Sequence, residues 1–294
     1  MPSHQIRGSI TALVTPMKNG AVDMKAFQDF VAWQINCGTH ALVPVGTTGE
    51  SPTLTHSEHD AVVASCVEVA AGQVPVIAGC GSNSTAEAVR LAQSAQAAGA
   101  DAALVVTPYY NRPNQEGLYQ HFKAVHEACE LPIIIYNIPG RSVIDMSLET
   151  FQRLYALERI VGVKDATGDV TRVQTYRQVL GPDFLQLSGE DATIYPYMAQ
   201  GGHGCISVTA NVAPAQTADM HTQWQAGNVS AASDITDRLM GLHTCLFAEP
   251  NPCPTKYALH RLGKMQNEMR LPLVPIAKET QAKVDAAMVQ AGVV

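Results

Sequence analysis

Residues 133–164 read IIIYNIPGRSVIDMSLETFQRLYALERIVGVK and combine the two kinds of segment on which the fold prediction rests. An apolar, β-branched run, Ile133–Tyr136, comes first, and a second one, Ile160–Val163, comes near the end. Between them, residues Leu148–Leu157 carry apolar side chains at the spacing of a helix. Because continuously apolar runs are typical of strands buried on both faces, the pattern predicts parallel strands joined by a helix.

The same alternation extends over the first two thirds of the chain. The further apolar runs are Ser9–Val14, Ala41–Val45, Val74–Ala78, Ala102–Val106, Leu185–Leu187 and Cys205–Val208. The further segments with helical spacing are Ala26–Cys37, Glu58–Ala71, Ala86–Ala98, Leu118–Cys129 and Val170–Leu180. Two helix starts carry the pattern of a capping box, Thr55 with Glu58 and Ser84 with Glu87. The alternation favours an α/β fold of the closed (β/α)8 (TIM) barrel type, with an open doubly wound sheet as the alternative.

The last part of the chain has a different pattern. From about Pro214 onward only helical periodicity is present, interrupted by the proline-rich segment Glu249–Pro254. We therefore predict a catalytic barrel over residues 1–225 and a small C-terminal helical extension over residues 226–294.

Composition limits the possible partners and the compartment. The formal net charge of -7 disfavours nucleic-acid binding, which needs a basic face. No run of about 18 uncharged apolar residues is present, so no membrane span is predicted. The seven cysteines are scattered and form no CxxC pair, which is typical of free thiols in a reducing cytoplasm.

Lys164 directly follows the apolar run Ile160–Val163, which places it at the mouth of a barrel strand. Active sites of such barrels lie at the carboxyl ends of the strands. Burial at that position disfavours the ammonium form, and a neutral lysine amine can attack a ketone to form an imine. The alternative is an ion pair with a neighbouring carboxylate, Asp165 or Glu190.

Three other strand ends supply groups for the same pocket. Tyr136 ends the adjacent strand, so its hydroxyl can serve as general acid and base, or it can be a core tyrosine. Thr47 and Thr48 lie in a glycine-flanked loop that suits either an anion or a plain tight turn. Arg141 follows Pro-Gly in a predicted loop, where its guanidinium can grip a carboxylate or remain solvated.

No cofactor or metal is predicted. Gly79 and Gly81 lack the third glycine and the acidic partner of a dinucleotide-binding fingerprint. His56 and His59 are spaced for a metal but have no third ligand in a suitable context.

Taken together, the motifs Gly46–Glu50, Tyr136–Arg141 and Val163–Asp165 give the chain a specific resemblance to the dihydrodipicolinate synthases. The resemblance extends from Gly8 to Leu273 and includes the segment Val106–Tyr110. It implies a lyase that condenses pyruvate with L-aspartate 4-semialdehyde in lysine and diaminopimelate biosynthesis, and a homotetramer built as a dimer of dimers.

The resemblance also implies a role for individual residues. Lys164 forms the imine, and Tyr136, Thr47 and Tyr110 relay protons, with Tyr110 contributed by a neighbouring subunit. Thr48 binds the pyruvate carboxylate, Arg141 binds the carboxylate of the semialdehyde, and Gly189 and Ile206 line the pocket. A site for L-lysine as allosteric inhibitor is implied at Ser51, Pro52, Leu54, His56, His59, Gly81, Asn83, Glu87 and Tyr109.

Related aldolases that act on N-acetylneuraminate or 2-keto-3-deoxy sugar acids share the lysine, the tyrosine and the threonine-rich loop. They remain the alternative enzymes, and Arg141 together with Tyr110 favours the synthase. A barrel that only senses a small molecule is the non-enzymatic alternative, and it would form no imine with pyruvate.

Overall fold

The computed structural model describes residues 6–294, and its centre is a barrel of eight parallel strands. The barrel strands β1 to β8 are Gly8–Ala12, Ala41–Val43, Ile77–Gly79, Ala102–Val106, Ile133–Asn137, Ile160–Asp165, Leu185–Ser188 and Gly204–Ser207. A separate hairpin of Met17–Lys18 and Ala21–Val22 lies outside the barrel. The predicted barrel domain begins at residue 1, so its first residues, 1–5, lie outside the described part of the chain.

The strands follow one another around the barrel in chain order. β1 pairs with both β2 and β8, and each strand from β3 to β8 pairs in parallel with its neighbour. A parallel bridge between Leu42 and Val76 connects β2 to the residues just before β3 and closes the ring. The predicted (β/α)8 barrel is therefore confirmed, and the open sheet is excluded.

Alternate residues of each strand face two different cores, as the period of two in a strand requires. Ile134 and Tyr136 belong to the cluster inside the barrel, whereas Ile133 and Ile135 pack outward against the helices. Val163 also packs outward. The adjacent Lys164 therefore faces the interior, on the same side as Tyr136.

Each barrel strand is followed by a helix. Helices α1 to α8 are Met24–Asn36, His56–Ala70, Thr85–Ala97, Gln115–Ala128, Leu148–Tyr155, Arg172–Leu180, Ile194–Ala199 and Pro214–Gln225. The Thr55–Glu58 capping box is present at the start of α2. The one predicted at Ser84 is wrong, because Ser84 makes no side-chain cap and Glu87 binds the Ser82 hydroxyl and His56 instead.

Three more helices follow the barrel: α9 is Val229–Cys245, α10 is Cys253–Arg261 and α11 is Lys278–Gln290. They share one apolar cluster with the last barrel elements, since Met220 of α8 and Leu239 of α9 both belong to it. The predicted boundary after residue 225 falls in the turn between α8 and α9 and stays a prediction.

Candidate active site at the carboxyl ends of the strands

The amino group of Lys164 lies over the ring of Tyr136 inside the barrel mouth. Its Nζ is 4.1 Å from the ring centroid, and the two residues are register partners on β6 and β5. Both side chains are buried, with 7% of Lys164 and 6% of Tyr136 exposed. The amine is thus held in a buried position, from which its nitrogen can attack the carbonyl carbon of a ketone to form an imine.

The carboxylates considered as ion-pair partners of Lys164 are engaged elsewhere or too far away. Asp165 accepts a hydrogen bond from the Thr167 hydroxyl at 2.6 Å and pairs with Arg172 at 3.4 Å. Burial raises the pKa of Glu190, and the charge of Lys164 lowers it, yet no ion pair joins them. Among residues 6–294, no carboxylate lies within 4.0 Å of the Lys164 amine.

The loop after β2 is a tight turn held by its own backbone. Gly49 N–H donates to the Gly46 carbonyl at 3.1 Å, and the Thr15 hydroxyl donates to the Gly49 carbonyl at 2.7 Å. A Cβ at Gly49 would lie 2.9 Å from Val45 Cα, so the turn requires glycine. In the described chain nothing accepts a hydrogen bond from the N–H groups of Thr47 and Thr48. Two such free donors suit an anion.

A cavity of about 230 Å³ opens beside these groups. Its wall includes polar residues from the ends of the strands. It also includes some residues of the implied effector site. The lining residues are Val45, Gly46, Thr47, Ser51, Pro52, Gly79, Gly81, Leu104, Val106, Tyr109, Tyr136, Ile138, Arg141 and Ser142. The structure brings Thr47, Tyr136 and Arg141 together around this cavity, whereas Thr48 and Lys164 are not among its lining residues.

Arg141 does not lie in a loop, so that prediction is wrong. It belongs to a single helical turn, Pro139–Ser142, in which Pro139 occupies the first turn. Proline suits that position because its missing N–H has no helical partner there. The side chain of Arg141 is exposed and lines the cavity, which leaves the guanidinium available to a ligand.

Gly189 and Ile206 lie inside the barrel near Lys164 and Tyr136, and neither is among the residues that line the cavity. A Cβ at Gly189 would lie 3.1 Å from Lys164 Cε and 2.7 Å from Ala166 Cβ, so a larger residue would displace the lysine. Ile206 is buried in the cluster inside the barrel, together with Tyr136.

Tyr110 stands apart from the other implied catalytic residues. Its side chain is 89% exposed, it does not line the cavity, and its φ of 71° is left-handed. A non-glycine residue in that region carries strain, and such strain often marks a functional position.

The implied effector residues form a polar cluster next to the cavity. Glu87 receives a hydrogen bond from the Ser82 hydroxyl and lies 2.7 Å from His56 Nε2. The Ser82 hydroxyl, and then His56, lower the pKa of Glu87, so its carboxylate is ionised. Burial, and then the Glu87 carboxylate, raise the pKa of Tyr109.

Not every implied effector residue is exposed to a ligand in this chain. His59 is buried, and its Nε2 hydrogen-bonds the Gly79 carbonyl at 2.9 Å. Leu54 packs partly against the large outer core. The Asn83 carbonyl accepts a hydrogen bond from Asn111 at 2.8 Å. Of these three residues only His59 is buried, and Leu54 and Asn83 are half-buried.

Over nearly its whole length the chain is similar to known proteins. The family model for the dihydrodipicolinate synthetases matches residues 5–291. The 4-hydroxy-tetrahydrodipicolinate synthase of Methylobacterium radiotolerans is 62% identical over 292 residues, 99% of this chain and 98% of that protein. The chain belongs to the dihydrodipicolinate synthetase family.

Solved structures of family members share the whole fold. The chloride-inhibited enzyme of Acinetobacter baumannii complexed with pyruvate has a TM-score of 0.95 and 46% identity, and covers 98% of this chain and 100% of its own. The enzyme of Cyanidioschyzon merolae with lysine bound has a TM-score of 0.95 and 38% identity, covering 99% and 100%. The predicted family, fold and enzyme class are confirmed, and the relatives' names favour the synthase over the sugar-acid aldolases.

The sequence prediction missed a group of buried residues that connects the C-terminal helices to the loop after β2. Asn251 Nδ2 donates to Thr48 Oγ1 at 2.9 Å. Lys256 on α10 forms an ion pair with Glu50, and both side chains are fully buried. Only the proline-rich pattern around Asn251 was visible in the sequence, and it indicated a helix break. The one available signal was a lysine within an otherwise apolar helix face.

Nowhere in residues 6–294 do three or more His, Cys, Asp or Glu side chains gather in a way that could hold a metal ion. None of the helices in that range is long and apolar enough to cross a membrane.

Proposed function

We propose that the protein condenses pyruvate with L-aspartate 4-semialdehyde to give 4-hydroxy-tetrahydrodipicolinate, in lysine and diaminopimelate biosynthesis. The observation that carries the proposal is the buried Lys164 amine, which lies against Tyr136 with no carboxylate of residues 6–294 within 4.0 Å, in a member of this family. No cofactor enters the reaction, because the imine itself acts as the electron sink.

The chemistry begins with the neutral amine of Lys164. Its nitrogen attacks C2 of pyruvate, the carbonyl oxygen leaves as water, and an imine forms. Loss of a proton from C3 then gives an enamine, whose carbon bonds to the aldehyde carbon of the second substrate. The amino group of that substrate displaces Lys164 from C2, which closes the ring and frees the enzyme. Tyr136 supplies and removes the protons, and Thr47 relays them.

Carboxylate binding fixes both substrates. The free N–H groups of Thr47 and Thr48 and the Thr48 hydroxyl suit the pyruvate carboxylate, deep in the barrel beside Lys164. Gly189 and Ile206 bound the space in which the pyruvate lies. Arg141, on the exposed rim, offers its fork of donors to the carboxylate of the semialdehyde.

We further propose a homotetramer, a dimer of dimers, in the cytoplasm. Tyr110 supports a shared active site, because an exposed aromatic side chain in a strained backbone conformation suits a contact with a second copy. In that arrangement its hydroxyl completes the proton relay of the neighbouring subunit. The free cysteines, all but one of them buried, suit a reducing compartment.

L-lysine is proposed as an allosteric inhibitor bound beside the cavity. The ionised carboxylate of Glu87 suits an amino group of the ligand, and His56 lies next to that carboxylate. Four of the proposed effector residues, Ser51, Pro52, Gly81 and Tyr109, also line the catalytic cavity. A ligand bound there therefore touches residues of the substrate space, which gives a direct route for partial inhibition.

The substrate proposal predicts the behaviour of Arg141→Ala. Wild type should turn over pyruvate with aspartate semialdehyde, and should not act on N-acetylneuraminate or 2-keto-3-deoxygluconate. In Arg141→Ala the KM for the semialdehyde should rise about 10- to 100-fold, the usual value of a charge-assisted hydrogen bond. Imine formation with pyruvate should stay largely intact, measured by borohydride trapping.

Arg238→Ala is the matched control, since Arg238 is an exposed arginine of α9 remote in sequence from the barrel mouth. Turnover of a sugar acid by wild type would overturn the substrate assignment. Equal loss of imine formation and semialdehyde binding in Arg141→Ala would make Arg141 a structural residue.

The effector proposal predicts the behaviour of Glu87→Ala. Millimolar L-lysine should inhibit the wild type partially, and the inhibition should disappear in the variant because the ligand's amino group loses its carboxylate partner. Steady-state rates over a lysine titration measure this, with Glu68→Ala, an exposed glutamate of α2, as control. A wild type indifferent to lysine would end the proposal, and undiminished inhibition of Glu87→Ala would move the site elsewhere.

A further inference from the structure

The side chain of Thr48 has a hydrogen-bonding partner that determines the direction of its hydroxyl proton. Asn251 Nδ2 donates to Thr48 Oγ1 at 2.9 Å, so the oxygen already serves as an acceptor. A hydroxyl has a single hydrogen. In the described chain no group accepts that hydrogen from Thr48. The Thr48 O–H is therefore left to donate to something that the chain itself does not provide.

Burial keeps this arrangement from being replaced by water. Thr48 is 4% exposed and Asn251 is 7% exposed. The oxygen of the Asn251 amide, Oδ1, is buried without a partner among the described residues. An unsatisfied buried polar group is costly, so the Nδ2–H bond to Thr48 is the contact that keeps the donor side of this amide paired.

The C-terminal extension holds Asn251 in place through the same loop. Lys256, one helical turn into α10, pairs with Glu50 and donates to the Glu268 carbonyl at 2.7 Å. The backbone N–H of Arg270 donates to the other oxygen of Glu50 at 3.0 Å. Glu50 lies two positions after Thr48, in a left-handed conformation with φ 57°. The loop and Asn251 are thus fixed to each other by buried, charged contacts.

We infer that Asn251 is a positioning residue for substrate: by donating to Thr48 Oγ1 it reserves the Thr48 hydroxyl as a donor to the pyruvate carboxylate. The inference rests on the proposed function. Asn251 touches neither the reacting atoms nor the amine of Lys164 and acts only through Thr48. Its amide is suited to this task because a carboxylate of the same shape would accept the Thr48 proton and remove it from the substrate.

The test compares Asn251→Asp with Asn251→Ala. Aspartate keeps the shape but takes the Thr48 proton, so the KM for pyruvate should rise about 10- to 100-fold, the usual value of a hydrogen bond to a charged group. Alanine leaves the hydroxyl free to turn toward pyruvate, so its effect on KM should be smaller. In both variants kcat at saturating pyruvate should change less than KM. The reason is that the hydrogen bond to the pyruvate carboxylate stabilises the bound substrate and the transition state equally. Thermal midpoints identify any variant that fails to fold.

The added negative charge of Asn251→Asp would by itself repel pyruvate. Introducing Asn251→Asp into variants of Thr48 separates this repulsion from the effect on the Thr48 hydroxyl. In Thr48→Val the hydroxyl is absent, so adding Asn251→Asp should raise the KM for pyruvate little further. In Thr48→Ser the hydroxyl is present, so adding Asn251→Asp should raise that KM as much as it does in the wild type. Asn228→Asp, at the exposed start of α9, controls for charge alone. An aspartate no worse than alanine, or a penalty that persists in Thr48→Val, would overturn the inference. A wild type that traps no pyruvate would instead overturn the proposed function.

Discussion

Replacing Lys164 with arginine should lower turnover by at least about 1,000-fold, corresponding to about 4 kcal/mol of transition-state free energy. Arginine keeps the positive charge and most of the length, but its guanidinium stays protonated and forms no imine. Incubating the wild type with pyruvate and borohydride should add one reduced pyruvyl group to the peptide that contains Lys164. The variant should acquire no such mass, measured by peptide mass spectrometry.

The control is Lys283→Arg, because Lys283 is an exposed lysine of α11. It should retain turnover and carry the label on Lys164. A label on a different lysine of the wild type would contradict the assignment of the nucleophile. Absence of any label would remove the imine mechanism and favour the barrel as a non-enzymatic sensor.

The barrel could be predicted from the sequence because the patterns that indicate its strands and helices are local. Each strand is a short apolar run and each helix repeats its apolar residues within a few positions, so neighbouring residues alone reveal both. Tyr136 and Lys164 could be placed together for the same reason. Both end consecutive strands, and parallel strands bring their carboxyl ends to one edge, as their register pairing confirms.

Contacts between distant segments could not be read in this way. Asn251 reaches Thr48 across 203 positions of sequence, and nothing near either residue indicates the other. The helical turn at Arg141 was missed because Pro-Gly is also a common turn sequence. Glu87 failed to cap Ser84 because two other partners, Ser82 and His56, reach its carboxylate. In each case the outcome depended on the spatial neighbours of the residue, which its local sequence does not reveal.

Replacing Lys256 with methionine should destabilise the protein by about 3–5 kcal/mol, the usual result of leaving one member of a buried ion pair without its partner. Methionine approximates the volume of the lysine stem but leaves the Glu50 carboxylate fully buried without its counter-ion. Burial lowers the pKa of Lys256, and the Glu50 carboxylate opposes that effect, so each charge depends on the other. Thermal midpoints at fixed protein concentration measure the loss, since assembly would otherwise shift them.

Two further variants show whether the loss comes from the unpaired charge. In Lys256→Met combined with Glu50→Gln no buried charge remains, so much of the lost stability should return, because a neutral replacement of a buried pair is often tolerated. Lys283→Met, the same change on the surface, should shift stability by less than about 0.5 kcal/mol. An unchanged midpoint for Lys256→Met would mean that the pair does not stabilise the fold. A double variant as unstable as the single one would show that the loss comes from packing around α10 and not from the Glu50 charge.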